Sequence, residues 1–222
     1  MAVVGDAIST LALKAVIHIT CPAGSTLVIK KGSTIVAQPS NVSSYDYEVL
    51  GVNFGTYSIY VNGESYVTKS VNVTSPTTYN VTFTAITYDI FNAGNKNGFS
   101  FAGGGSGGVS VDSSRLKITT SGGDKWYWAW ANKTLSVNAY SKLRVTTVNM
   151  PSNCKINDFG LATNQTEWKA PTYRAGTTQG TNGTFTLDIA SITGSYYVKF
   201  AIGNSSHGVT VYLSRIWFTG IQ

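Results

Sequence analysis

Charged side chains are scarce in this chain, at 12% of its 222 residues, about half the usual share for a globular protein. Acids are the scarcer sign. Ten Asp and Glu stand against sixteen Lys and Arg, so the net charge of +6 reflects missing acids more than clustered bases. The densest basic run is only Lys30-Lys31. A nucleic-acid footprint needs a basic stripe along one face, and its absence argues against a nucleic-acid partner. Histidine is limited to His18 and His207, and cysteine to Cys21 and Cys154. Two cysteines so far apart give no disulfide framework and are read as isolated, buried thiols. No Cys/His cluster has zinc spacing, so neither a metal nor a cofactor is expected. No apolar run approaches the ~18 residues of a membrane span, and no membrane insertion is expected. The first residues lack a basic segment ahead of their apolar ones and carry Asp6 among them, a poor match to a signal peptide.

Catalytic signatures are missing as well. His18 falls inside a strand pattern, and His207 sits in Asn204-Ser205-Ser206-His207-Gly208, which reads as a hairpin tip. No Gly-x-Ser-x-Gly elbow places a serine on a strand-to-helix turn. A glycosidase needs two carboxylates at a defined separation. The second half offers Asp89, Asp112, Asp124, Asp158, Glu167 and Asp188, but most lie in turns or at strand edges, where Asp readily satisfies turn backbone. The expectation is a protein that is not an enzyme.

What fills the sequence is Gly, Ser, Thr, Asn and Tyr, arranged with a period of two. Ala15-Val16-Ile17-His18-Ile19-Thr20 alternates before Cys21-Pro22; Thr26 to Lys30 and Thr34 to Ala37 flank a Lys31-Gly32-Ser33 turn. Strands are expected at Tyr45 to Val49, Gly55 to Val61, Tyr66 to Val73 and Thr78 to Phe83, with Asn62-Gly63 as a hairpin turn that demands positive φ. A short helix around Ala7 to Leu13 is the one helical expectation. A second unit begins near Tyr88. Its glycine-rich GFSFAGGGSGGVSV stretch reads as a flexible surface loop, since neither a phosphate-binding Lys nor a helix follows. Strands then recur at Arg115 to Thr119, Trp126 to Ala131, Ser141 to Asn149, Asp158 to Ala162, Thr184 to Ile189, Tyr196 to Ile202 and Val209 to Thr219. The fold class is all-β: an N-terminal arm over 1–12, a small sandwich over 13–86 and a larger jelly-roll sandwich over 87–222. Glu167 to Gly183 reads as one long loop, and long loops on a rigid β scaffold often carry binding.

Two resemblances add to this. Leu13 to Thr84 resembles a small Ig-like or prealbumin-like module of the PEGA and carboxypeptidase-regulatory type, through Cys21-Pro22-Ala23-Gly24-Ser25, Gly55-Thr56-Tyr57 and Tyr66 ahead of Val67 to Val73. Tyr88 to Gln222 is similar to the galactose-binding-like jelly roll of carbohydrate-binding modules and phage tail proteins. The residues that carry this are Tyr88-Asp89-Ile90-Phe91-Asn92, Tyr140-Ser141-Lys142-Leu143, Tyr196 to Phe200 and Val211 to Ile216. Ser214 stands where that family often has an Asp, so the structural calcium of some members is not carried over. Together the resemblances imply a phage virion component, of a tail, fibre or surface, that binds a host-cell glycan or neighbouring virion subunits and forms a homo-oligomer. The alternatives they imply are a capsid decoration protein without sugar binding, and a carbohydrate-binding accessory module at a bacterial cell surface.

Aromatic residues supply the candidate ligand contacts. In Lys125-Trp126-Tyr127-Trp128-Ala129-Trp130-Ala131 a strand would put Trp126, Trp128 and Trp130 on one face and Tyr127 on the other. The tryptophans fit a sandwich core better than a stacking platform, because large aromatics dominate such cores, though sugar rings also stack on them. Trp168 and Tyr173 lie in a polar loop where burial is harder to arrange, and Asp124, Lys125, Glu167 and Arg174 could add hydrogen bonds to a glycan or protein. Trp217 is expected in the core.

Overall fold

The computed structural model describes residues 13–62, 67–105, 107–121, 126–166, 169–204 and 208–222, with the backbone alone at Trp126 and Asn204. The 1–12 arm with its expected helix, Gly63 of the Asn62 turn, and Asp124, Lys125, Glu167, Trp168 and His207 lie outside the described residues. The chain divides into two compact units, Met1–Ala85 with Ile221–Gln222, and Ile86–Gly220.

The first unit contains β1 (Lys14–Ser25), β2 (Leu27–Lys31), β3 (Thr34–Ala37), β4 (Val42–Leu50), β5 (Gly55–Val61), β6 (Thr68–Val73) and β7 (Thr78–Thr82). They form a three-stranded sheet in the order β4-β1-β7 and a four-stranded sheet in the order β3-β2-β5-β6. The period-two pattern dictates which face is buried. Ala15, Ile17 and Ile19 of β1 enter the core, where they meet Leu27, Ile29, Ile59 and Val61 of the other sheet. The isoleucine, leucine and valine side chains among them each contribute about 1.5–3 kcal/mol by leaving water. His18 points out of that core, with Nδ1 2.6 Å from Asp46 Oδ1 on the paired strand. Gly32 turns the β2–β3 hairpin at φ +59°, and Asn62 takes φ +54° at the end of β5.

The second unit contains β8 (Ala85–Asn92), β9 (Phe101–Gly104), β10 (Gly107–Asp112), β11 (Arg115–Thr120), β12 (Trp126–Ala131), β13 (Leu135–Ser136) and β14 (Lys142–Val148). It continues with β15 (Cys154–Ala162), β16 (Tyr173–Ala175), β17 (Gly183–Asp188), β18 (Ser195–Asn204) and β19 (Thr210–Ile221). One sheet runs β10-β11-β19-β14-β17, with β8 also paired to β19; the other runs β16-β15-β18-β12-β9, with β13 also paired to β18. Inward residues of both sheets, including Phe91, Phe159, Phe200 and Phe218, make one core, the sandwich that the alternation implies.

Three expectations change here. The glycine-rich stretch is not a loop throughout, because it supplies β9 and β10. Its glycines allow close approach: a Cβ on Gly103 would lie 2.2 Å from Tyr127 Oη, and one on Gly107 would lie 2.1 Å from the Thr119 carbonyl oxygen. The expected long loop after Ala162 contains β16, which pairs with β15. Trp217 is buried but is not part of the main core. Ile216 and Phe218 point inward, so Trp217 takes the outward side, under the Arg215 guanidinium at 4.5 Å from its ring centroid.

Candidate functional site

β18 runs through the middle of the second sheet, between β12 and β15. Its side chains alternate across the sheet. Val198, Phe200 and Ile202 enter the core, so Lys199 and Ala201 face outward. Register then fixes their neighbours. Lys199 stands opposite Trp130 on one side and Gly160 on the other, and Ala201 stands opposite Trp128 and Asp158. β16 brings Arg174 opposite Gly160. One outward face thus gathers two indoles, an ammonium, a carboxylate and a guanidinium above small residues. Gly160 is required there, since a Cβ would sit 1.8 Å from the Tyr173 carbonyl oxygen.

Trp128, Trp130 and Ala201 form an apolar cluster separate from the sandwich core, with Ala170 packed against it. Outward residues two apart on a strand are about 6.7 Å apart, so the indoles stand in a row. Each is 8% exposed. The Lys199 ammonium lies 4.9 Å from the Trp128 ring centroid and 5.6 Å from that of Trp130. Lys199 is fully buried, and its Nζ donates to the Thr166 carbonyl oxygen. Burying an ammonium is costly unless it is paired and hydrogen-bonded. Two ring faces help here, and a desolvated cation–π contact is worth about 2 kcal/mol.

Thr166 belongs to the segment that leaves β15. That segment is tied down where Gln165 Nε2 donates to the Ala131 carbonyl at 3.1 Å and where the Thr166 N–H donates to Asn164 Oδ1 at 3.2 Å. On the far side of Lys199, Arg174 Nη1 lies 3.3 Å from Asp158 Oδ1. The groups gathered on this face are ring faces, two cations and one carboxylate engaged by an arginine, with the indoles and Lys199 covered. Among the described residues this face carries one carboxylate, Asp158.

Among the residues singled out in the sequence, Trp128, Trp130 and Arg174 come together on this face. The Trp128 and Trp130 side chains are not in the sandwich core as expected, because the opposite face of β12 fills it. Tyr127 lies in that core with Ala129 and Ala131, under Gly103, and has no surface to offer a ligand. Tyr173 alternates away from Arg174 along β16 and packs edge-on against Tyr196 at 5.7 Å. Burial, then the contact with Tyr173, pushes the Tyr196 phenol above its usual range. Lys199 and Ala201 were missed. Their signal is a lone lysine inside the apolar alternation Val198-Lys199-Phe200-Ala201-Ile202. Asp158 was read only as a strand-edge acid. Among the described residues no three His, Cys, Asp or Glu side chains are grouped to hold a metal ion.

No family model and no curated protein matches the chain. Among solved structures, the chain is similar to a family 29 carbohydrate-binding module at 17% identity, over 61% of this chain and 89% of that one, with a TM-score of 0.42. It is also similar to a low-affinity xylan-binding module from the gut symbiont Roseburia intestinalis, at 11% identity over 61% and 94% of the two chains, TM-score 0.41. A SusE-like protein matches at 9% identity over 88% of each chain, TM-score 0.32. With TM-scores below one half, any ligand assignment rests on the face itself.

Proposed function

We propose that the second unit is a non-catalytic carbohydrate-binding module, acting at a bacterial cell surface or outside the cell, and that a glycan lies on the outward face of the β16-β15-β18-β12-β9 sheet. The observation that carries this is the outward Trp128–Trp130 pair, set apart from the sandwich core and sharing one lysine ammonium. Sugar rings present apolar C–H faces to indoles, while Lys199, Arg174 and Asp158 supply donors and acceptors for hydroxyls. In binding, a ligand hydroxyl replaces the Thr166 carbonyl on Lys199 as the segment around Gln165 lifts. The hydrogen bonds that hold this segment to the sheet include Gln165 to Ala131 and Lys199 to Thr166, and each contributes about 0.5–3 kcal/mol. The test is affinity electrophoresis against a panel of neutral polysaccharides. Trp128→Ala and Trp130→Ala should each weaken binding at least about tenfold, with melting followed to confirm folding. Unchanged retardation in both variants would refute this site.

A second reading, a subunit of a larger assembly such as a virion surface, is favoured by the first unit. Ile35 and Val52 are 52% and 55% exposed, with Leu13 and Leu50 also exposed. Among the described residues β4 ends its sheet, and an edge strand invites pairing with another chain. A homo-oligomer in light scattering that Ile35→Lys dissolves would favour assembly; a monomer would count against it.

A further inference from the structure

The opposite outward face of the same sandwich, on the β10-β11-β19-β14-β17 sheet, carries a different chemistry. We infer that it binds an acidic polysaccharide through guanidinium–carboxylate contacts, independently of the tryptophan face described above. Arg115 and Lys117 alternate with Leu116 and Ile118, which are in the core, and Lys142 and Arg144 alternate likewise with Leu143 and Val145. Arg215 completes five cations. Among the described residues three acids share the face. Asp89 binds Arg215 Nε at 2.6 Å, Asp112 lies 3.9 Å from Lys117, and Asp188 takes Lys142. Arg115 and Arg144 therefore have no carboxylate partner among the described residues, and Arg144 Nε is buried without any hydrogen-bond partner.

Two of these guanidiniums are held in place before any ligand arrives. Arg115 stacks 4.2 Å from the Tyr212 ring centroid and Arg215 stacks 4.5 Å from that of Trp217. A stacked guanidinium loses less freedom when its fork engages a carboxylate. The spacing selects a polymer. Arg115 and Arg144 sit on strands that flank β19 on either side, so they are two strand steps, about 10 Å, apart across the sheet even before their offset along it. Carboxylates on separate residues of an extended chain match that separation. A nucleic acid fits less well. Asp89, Asp112 and Asp188 interrupt the positive field that a dense phosphate backbone needs, while the hydroxyls of a polysaccharide can meet those acids and the Thr146–Thr184 hydroxyl pair, 2.8 Å apart.

The experiment titrates the full chain with polygalacturonate and, in parallel, with its fully methyl-esterified form. The expected result is binding to the acidic polymer alone, weakening as salt rises from about 50 to about 500 mM. Arg115→Gln and Arg144→Gln should each weaken it about tenfold with melting unchanged, while Trp128→Ala leaves it intact. The inference is overturned if the parent chain fails to bind polygalacturonate, if the esterified polymer binds Trp128→Ala as well as polygalacturonate does, or if both arginine variants bind like the parent. Equal or tighter binding of duplex DNA would also overturn it, in favour of unspecific charge attraction. Loss of neutral-glycan binding in Trp128→Ala reports on the other face only, so the two proposals fail separately.

Discussion

Both outward faces of the second unit set cations against aromatic rings, yet the two arrangements differ in availability. On the β18 face the cation rises from the strand beside the tryptophans, lies against both rings and is sealed by the Thr166 carbonyl, leaving Lys199 with no exposed surface. On the β19 face Arg115 and Arg215 lie over Tyr212 and Trp217 and remain partly exposed. The same pairing thus serves as internal packing in one place and as a presented surface in the other. Cover decides which, and the segment following β15 supplies it on one face only.

The largest effect should come from the glycine that lets β16 pair beside β15 at the edge of the tryptophan-bearing sheet. Gly160→Ala forces a Cβ against the Tyr173 carbonyl oxygen at 1.8 Å, backbone that cannot rotate away. We expect a loss of about 2–4 kcal/mol and release of Arg174 from the face. Gly108→Ala on β10 is the matched control, because a Cβ there meets nothing within 4 Å; its effect should stay within about 1 kcal/mol. Chemical denaturation of both variants measures the difference, and equal midpoints would contradict the tight β15–β16 crossing.

Lys199 and Arg115 give the next contrast. Lys199→Ala opens a cavity between two indoles and leaves the Thr166 carbonyl without its donor, at a cost of about 2 kcal/mol. Lys199→Met keeps the volume and should recover much of that stability, while still impairing neutral-glycan binding. Arg115→Ala, on the partly exposed stack, should cost under about 1 kcal/mol. If Lys199→Ala and Arg115→Ala unfold at the same denaturant concentration, the two faces do not differ in the way their exposure implies.

How much of this was legible in the sequence depends on whether alternation was ambiguous. β1 alternates apolar with polar, so its buried face could be read directly, whereas residues 198–202 of β18 are apolar on both faces except at Lys199. β12 is apolar on both sides, and composition favoured the tryptophans as core. What reverses it is tertiary: the Tyr127 ring fits beneath Gly103, which only a residue without a Cβ allows. The same close approach hid β9 and β10, since glycines that admit a neighbouring chain look like glycines that make a loop. Lys199 went unnoticed because a single lysine in an apolar strand carries no motif. Its meaning comes from register, which sets it opposite Trp130. The pairing of Arg115 with Tyr212 is non-local for the same reason, joining β11 to β19 across the sheet.

The smallest predicted effect tests the cationic face through its acid. Asp188 accepts from Lys142 Nζ and from the Ala190 N–H at 3.1 Å. These bonds, the lysine first, hold its carboxyl below the usual 3.8. A depressed carboxylate stabilises the folded state above its unfolded pKa, and that contribution is lost as pH falls below about 4 through the folded value. The Asp188 side chain is 67% exposed, so solvent screening limits the contribution to a few tenths of a kcal/mol. Asp188→Asn should therefore flatten the acid limb of the stability profile slightly. It also frees Lys142, so at neutral pH polygalacturonate should bind about twofold more tightly, while neutral-glycan binding on the tryptophan face is unchanged. Weaker polygalacturonate binding in this variant would mean that Asp188 contacts the polymer and does not merely restrain a cation, which would move the ligand towards the β17 edge of the sheet.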